Sequence, residues 1–440
     1  MDLAQLFADH IAHVQGTYEK ALTDLEREGC AMEAVLVYSG SEGVYFGDDR
    51  HILFQPFGHF MWWLPVFRPE QMVLFRPNQK PVYYQVVRPD FWYEQTVVNE
   101  DWWLNAFEYV RLESPEEVLS HLPPLRRIAF LGDDLDFAGR LGMPTDLQNE
   151  KNLCNYLDYY RGMKTPYEVA MISEANRKGM IGHRAAMAAF LEHGSEWDIH
   201  LAFLNANQML EEDSPYTNIV GLDEKSAILH YQNKRRDVGG GSKVLLIDAG
   251  CRHHGYCSDI TRTYARESAH PVFQSMVKDM DQLTLSLVQK AQVGTPYFEI
   301  HQAAHDGVLD MLVNHNIVKG DRTSLTEAKI SSLFFPHGIG HLLGLQVHDV
   351  GGYFSDDHGS LAPPPENHKF LRLNRKMEPG MVFTIEPGLY FIPILLDPER
   401  GSERGKMIHW ELVDTLTPLG GIRIEDNIHV TPKGPENLTR

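Results

Sequence analysis

Four carboxylates in the second half of the chain stand in strand-like surroundings where acids are uncommon. In KVLLIDAGCRHHGYCSDITRTY, two apolar runs flank His253-His254-Gly255. A turn centred on 253 and 254 makes them an antiparallel pair in which Asp248 faces Asp259. The two side chains could share one ion; two solvated strand-end acids are the alternative. MVFTIEPGLYF places Glu386 at the end of an apolar strand, before the turn-forming Pro387-Gly388, with Val382 and Thr384 on its face. GGIRIEDNIHV puts Arg423 and Glu425 on one face, with Ile422 and Ile424 on the other. Glutamate is disfavoured in a β-branched strand and costly to bury unpaired, so each acid either serves a site or sits in a structural salt bridge.

FFPHGIGHLLGLQVHDVGGY is the most distinctive segment. His337, His341 and His348 fall within twelve residues, separated by Gly338, Gly340 and Gly344 and followed by Asp349. The glycines argue against a helical H-E-x-x-H metal site, and their spacing does not fit a dinucleotide-binding loop. They do allow close backbone approach. Asp248, Asp259, Glu386 and Glu425 would repel one another strongly if they converged without cations. Two divalent ions cancel that charge, and an oxygen-rich, thiolate-free donor set suits Mn²⁺, with Co²⁺ as a substitute.

Helices and strands must bring these residues together. Thr165 and Glu168 form a capping-box pattern around Pro166, which predicts a helix reaching about Leu191. Further helices are expected over Pro271–Ala291 and Tyr297–His315. With the strand-like runs between them they indicate an α+β domain with a largely antiparallel sheet. The first 160 residues have another texture: five of the seven tryptophans lie between Trp62 and Trp103, and AVLVYSG and RRIAFLG read as strands. Two domains are therefore expected, 1–160 and 161–440. The aromatic stretch Phe54–Phe67 is a candidate contact surface, its alternative being the first domain's own core.

Composition narrows the function classes. The 440 residues carry 60 acidic and 40 basic side chains, a formal charge of -20. Such a surface disfavours nucleic acid and anionic membranes and attracts divalent cations. Four cysteines without a C-x-x-C make no disulfide framework. The amino-terminal residues have acids and no basic region, so they do not read as a signal peptide. The longest charge-free stretch, His51–Phe67, holds two prolines and two histidines and is no membrane span. A cytoplasmic protein is the default expectation.

D-x10-D, H-G-x-G-H-x-x-G, T-I-E-P-G and G-G-I-R-I-E-D-N, in this order, resemble the pita-bread dinuclear metallopeptidases, a family of prolidases, aminopeptidase P, methionine aminopeptidases and creatinase. Within it the chain is most similar to the bacterial Xaa-Pro dipeptidases and their organophosphorus-hydrolysing relatives, over nearly its whole length. The resemblance implies a smaller amino-terminal α/β domain and a carboxy-terminal pita-bread domain, whose curved, largely antiparallel sheet is flanked by helices. It makes Asp248 a ligand of one metal, Asp259 and Glu425 bridges, and His341 and Glu386 the remaining ligands of the second. It gives catalytic roles to Glu386, His230, His348 and His337, and substrate-binding roles to Tyr216, Arg372 and Arg423, with Arg372 receiving the free carboxylate of a dipeptide. It further implies a homodimer, whose amino-terminal domain supplies the dimer contact and the edge of the substrate pocket. That region departs from the family here, reading RHILFQPFGHFMWW where a lysine-containing stretch is usual.

The implied activity is metal-dependent hydrolysis of Xaa-Pro dipeptides with release of proline. The two ions would acidify a water and polarise the scissile carbonyl, while Glu386 carries a proton to the leaving nitrogen. Side activity on organophosphorus triesters and fluoridates is also implied. The rivals are an aminopeptidase P-like enzyme on longer peptides, against which Arg372 argues, and a metal-free binding module. The latter should lack ligands, and all five are present.

Overall fold

Helix α1 (Leu3–Arg27) opens the chain because Phe7, Ile11, Val14, Tyr18, Leu22 and Leu25 recur on one buried stripe, and the Asp2 side chain accepts from the Ala4 amide at its start. The computed structural model describes residues 2–440 except 96, 98 and 125. Their contacts separate two units, residues 1–170 with 356–360, and residues 171–355 with 361–440.

In the first unit a five-stranded sheet contains β1 (Ala34–Tyr38), β2 (Met72–Phe75), β3 (Val82–Val86), β4 (Glu108–Leu112) and β5 (Ile128–Leu131) in the order β4-β3-β2-β1-β5. It is mixed: β1 pairs with β5 and β3 with β4 in parallel, while β2 runs antiparallel to β1 and β3. AVLVYSG and RRIAFLG supply its β1 and β5. Strands β1, β2, β3 and β5 are buried throughout, as expected of runs so rich in Val, Leu and Tyr. The Phe54–Phe67 stretch does not form an outer surface along its length. Phe60, Met61, Trp62, Trp63 and Leu64 are buried, and Trp63 packs against Tyr18 and Phe75. Rings this large bury most favourably inside a domain. Within the stretch Phe67 is exposed, but the unit's most exposed aromatics lie elsewhere, at Phe46, Phe91, Trp92 and Tyr93.

Helix α2 (Pro166–Leu191) begins on the expected capping box: the Thr165 amide donates to Glu168 at 2.9 Å and the Glu168 amide to Thr165 Oγ1 at 3.4 Å. Helices α3 (Pro271–Gln289) and α4 (Tyr297–Asn314) stand where their periodicity predicts. The second unit's strands are β6 (Ile219–Leu222), β7 (Val244–Asp248), β8 (Arg252–His253), β9 (Tyr256–Cys257), β10 (Thr261–Ala265), β11 (Val382–Ile385), β12 (Gly388–Tyr390), β13 (Gly421–Arg423), β14 (Asp426–Thr431) and β15 (Gly434–Asn437). They form the ladders β10-β7-β6, β11-β14-β15, β12-β13 and β8-β9, each antiparallel.

Two details correct the sequence reading. The β8–β9 turn centres on His254 and Gly255, not on 253 and 254. Both have positive φ, +47° and +91°, the left-handed pair of a tight hairpin, and this requires glycine at its second position. The turn centre therefore moves by one residue and the pairing by two, so Asp248 faces Thr261 while Asp259 precedes β10. Nor does Pro387-Gly388 turn the chain. Ile385 pairs with Asp426 and Gly388 with Arg423 in one continuous register, so Glu386 lies opposite Glu425 where the ladder is interrupted. Pro387 has no amide hydrogen to give that ladder, which explains the break. The two glutamates occupy the gap it leaves.

Candidate metal centre

The carboxylates converge from β7, the lead into β10, and the paired interruption of β11–β12 with β13–β14. Tyr216, in the loop before β6, places its hydroxyl 2.7 Å from Asp248 Oδ1 and 2.6 Å from Asp259 Oδ1. One hydroxyl proton can serve only one of them. Arg423, ending β13, donates to Asp248 Oδ2 at 2.6 Å, Thr261 Oγ1 at 3.1 Å and the Tyr390 hydroxyl at 2.8 Å. Thr261 in turn donates to Glu425 Oε2 at 2.7 Å, but Glu425 Oε1 is buried with no hydrogen-bond partner. Asn427 clamps the Asp259 backbone, accepting from its amide at 3.0 Å and donating to its carbonyl at 2.5 Å.

His341 completes the group. Its Nδ1 lies 3.0 Å from the Leu342 carbonyl, a contact that requires Nδ1–H and turns Nε2 to the acids, where it carries a proton in the metal-free protein and would offer a lone pair to a cation. Nε2 is 3.4 Å from Asp259 Oδ2 and 3.8 Å from Glu386 Oε1. Ligand atoms of Asp259, His341 and Glu425 all lie within 4.8 Å of one another. Gly340 makes this approach possible: at φ +154°, any Cβ would overlap the Thr384 carbonyl and the Tyr297 hydroxyl.

Burial, followed by the neighbouring carboxylates, drives the Glu425 carboxyl well above its ordinary range. Burial likewise raises Glu386 to about 7 and Asp248 above its usual value. Burial opposes ionisation of Asp259 too, but hydrogen bonding and charge from His341 outweigh it and hold that carboxyl low. His341 is raised in return by Asp259 and Glu386, against burial. Three carboxyls pushed up, beside a buried oxygen without a partner, form a donor set short of positive charge. Oxygen donors with one imidazole and no thiolate fit hard or borderline divalent cations.

These groups open into a cavity of about 810 Å³. Asp248, Asp259, His230, His337, His341, His348, Arg372, Glu386, Arg423 and Glu425 all line it, and Tyr216 meets its acids from behind. His348 sets its ring edge-on to His341, 4.3 Å between centroids, and burial pushes it down to about 4. His337 is pushed down to about 3 by burial and then Arg423. Its Nδ1 is 2.8 Å from the Gly338 carbonyl and its Nε2 2.9 Å from the Tyr390 hydroxyl. His230 and Arg372 are exposed at the cavity wall, and among the described residues no carboxylate pairs with Arg372.

Sequence reasoning missed Thr261, Tyr390 and Asn427. A period-two signal was available for each, because they lie two or four residues beyond Asp259, Glu386 and Glu425.

Comparison with known proteins agrees with this picture. Residues 170–432 match metallopeptidase family M24, and residues 5–159 match the Xaa-Pro dipeptidase N-terminal domain. An Xaa-Pro dipeptidase of Pseudoalteromonas atlantica is 42% identical over 447 residues, covering 100% of this chain and 98% of its own. One from Shewanella amazonensis is 39% identical over 443 residues, with the same coverage. Among solved structures, Pseudomonas aeruginosa aminopeptidase PepP superposes with a TM-score of 0.70 at 21% identity, over 97% of this chain and 94% of that one. A zinc-substituted Escherichia coli aminopeptidase P in complex with product gives 0.68 at 23% identity with the same coverage. At such identities the structures establish the fold, the mixed α+β architecture of the pita-bread enzymes. Sequence similarity along the entire length goes further, and on that ground the chain belongs to metallopeptidase family M24.

Proposed function

We propose that the protein is an Xaa-Pro dipeptidase with a dinuclear divalent metal centre, releasing proline from Xaa-Pro dipeptides. The observation that carries this reading is the buried, partnerless Glu425 oxygen among four carboxylates, in a chain similar to Xaa-Pro dipeptidases from end to end. Asp248 would hold one metal, Asp259 and Glu425 both, and His341 and Glu386 the second. Mn²⁺ suits these oxygen donors, with Co²⁺ as a substitute. When bound, the ions supply Lewis acidity toward the scissile carbonyl and toward the attacking water.

This chain's own residues do the rest. Glu386 takes a proton from the attacking water and gives it to the leaving proline nitrogen, which departs as a secondary amine and needs it. Burial, which raises it to about 7, suits that exchange near neutral pH. His230 and His348, on the cavity wall, hold the substrate carbonyl and steady the tetrahedral oxygen. Neutral His337 borders Glu386, with Nδ1 3.7 Å from Oε2, beyond hydrogen-bond reach, and its ring held by the Gly338 carbonyl and the Tyr390 hydroxyl. Arg423 and Tyr216 orient Asp248. Arg372 receives the dipeptide carboxylate.

A panel of Xaa-Pro, Xaa-Pro-Yaa and phosphotriester substrates tests the reading. Dipeptides should be cleaved fastest, tripeptides at least tenfold slower, and phosphotriesters weakly, because their tetrahedral oxygen-rich centre imitates the peptide transition state. Faster cleavage of tripeptides would favour the aminopeptidase P alternative.

No helix among the described residues is long and apolar enough to cross a membrane, and we assign the enzyme to the cytoplasm. We assign residues 161–440 to catalysis and residues 1–160 to a homodimer contact. In support, Phe46, Phe91 and Trp92 are 108%, 85% and 78% exposed, and Tyr93 meets His51 at 5.6 Å, joining the two aromatic segments. Sedimentation at micromolar concentration should give a species of twice the chain mass; a 50.2 kDa species alone would refute the dimer.

A further inference from the structure

Outside the carboxylate centre, three further histidines meet. His301 and His305 lie one turn apart on α4 and project from the same face. His368 ends a short 3-10 turn over Glu366–His368. One ring nitrogen from each lies within 4.8 Å of the others, and His301 Nε2 is 2.9 Å from His368 Nδ1. Their ring centroids are 4.6, 4.7 and 5.2 Å apart. A tetrahedral ion with nitrogens at about 2.0–2.1 Å needs them roughly 3.3 Å apart, inside this range.

The surroundings suit ligation. His301 is 1% exposed, and its Nδ1 is buried without a hydrogen bond. His305 Nδ1 lies 3.1 Å from Ser331 Oγ, an outer contact that leaves Nε2 for an ion. Burial lowers all three histidines, His301 to about 2 and His305 to about 4, so the rings are neutral at pH 7. No carboxylate among the described residues forms an ion pair with any of them. The rings border a recess of about 240 Å³ that shares Pro336, His337, Lys369 and Phe370 with the main cavity and leaves room for a non-protein fourth ligand.

We propose that His301, His305 and His368 form a third metal site, taking a zinc-class divalent cation through three imidazoles with one position open. Such a site prefers a borderline, nitrogen-seeking ion, whereas the carboxylate centre prefers a harder one. A cation there would tie the segment that carries Arg372, four residues beyond His368, to α4.

The test loads wild-type enzyme, His305→Asn and His368→Phe with Mn²⁺, equilibrates each with buffered Zn²⁺, desalts, and counts total metal per chain by elemental analysis. About three ions per chain in the wild type and about two in each variant are expected. Unchanged Xaa-Pro hydrolysis by His305→Asn in Mn²⁺ alone would show that it is folded. Equal metal content in all three proteins would overturn the site. Co²⁺ titration of the wild type gives a reading independent of the variants. A third equivalent should add the intense visible bands of a four-coordinate ion, and no added absorbance beyond the second would equally overturn it.

Discussion

Exhaustive chelation is expected to abolish Xaa-Pro hydrolysis, and added Mn²⁺ or Co²⁺ to restore it. Loss of the Lewis acid removes several kcal/mol of transition-state stabilisation, about 10³-fold or more in kcat/KM. Asp259→Asn and Glu425→Gln should each retain fewer than two ions per chain and lose activity on the same scale, because each removes a charge that both metals would share. Full activity with metal absence confirmed by elemental analysis would sink the assignment. The chelated protein should also show a distinctive dependence of stability on pH. Glu386 rises from 4.5 to about 7 in the fold, so between those values the folded, metal-free chain keeps a proton that the unfolded chain has released. Stability must then fall as pH climbs through this window, on the order of 3 kcal/mol for this carboxyl. Glu425, Asp248 and His341, all raised, act in the same direction, and Asp259, shifted down, acts only below its ordinary value of 3.8. Buried histidines lowered from 6.5, His337, His348, His301 and His305 among them, act the other way below that value, so the centre is isolated by comparing loaded with chelated protein. The Tm gained from metal should widen from pH 5 to 7.5 as the carboxyls give up their protons. A gap between loaded and chelated Tm that stays constant or narrows over this range would contradict the buried-carboxylate account.

Arg372→Ala should cost about 30-fold to 1000-fold in kcat/KM for Xaa-Pro dipeptides. The guanidinium stands at the cavity wall without an acidic partner among the described residues, and is free for a charge-assisted contact with a substrate carboxylate. Removing one side of such a contact costs roughly 2–4 kcal/mol, which sets that range. Xaa-Pro-amide and phosphotriesters carry no such carboxylate and should be affected far less. His348→Ala supplies the contrast, impairing all substrates because it acts at the reacting centre. Equal losses on Xaa-Pro and its amide after Arg372→Ala would remove Arg372 from substrate binding and reopen the longer-peptide alternative.

How far the site could be read in advance depended on what each residue rests on. Helices α2, α3 and α4 were legible because caps and apolar periodicity act locally. The four carboxylates were conspicuous because acids are rare between β-branched residues. Their mutual placement was harder to see. Asp248 and Asp259 meet at Tyr216 rather than directly across a ladder, since one left-handed residue pair moved the register. Glu386 and Glu425 face each other because a proline breaks two strands at matching points, a coincidence between segments some forty residues apart that no local pattern reveals. The burial of Trp62 and Trp63 was equally hidden, because an aromatic run reads the same as core or as contact surface. Thr261, Tyr390 and Asn427 escaped notice because ordinary polar residues gain significance only from what they touch.

The matched interruption of the two strand pairs also constrains how the chain reaches its native state. Glu386 and Glu425 come into opposition only when distant segments have zipped in the correct frame, and Thr261 must join them from a further 164 positions away. Contacts of such long range form slowly, because loop closure precedes any compensating interaction. No partial fragment presents the complete donor set, so the nascent chain cannot use a cation as an early template. The acids close on one another by keeping protons, as the raised Glu386 and Glu425 do, and a cation would find its full donor set only in the finished frame.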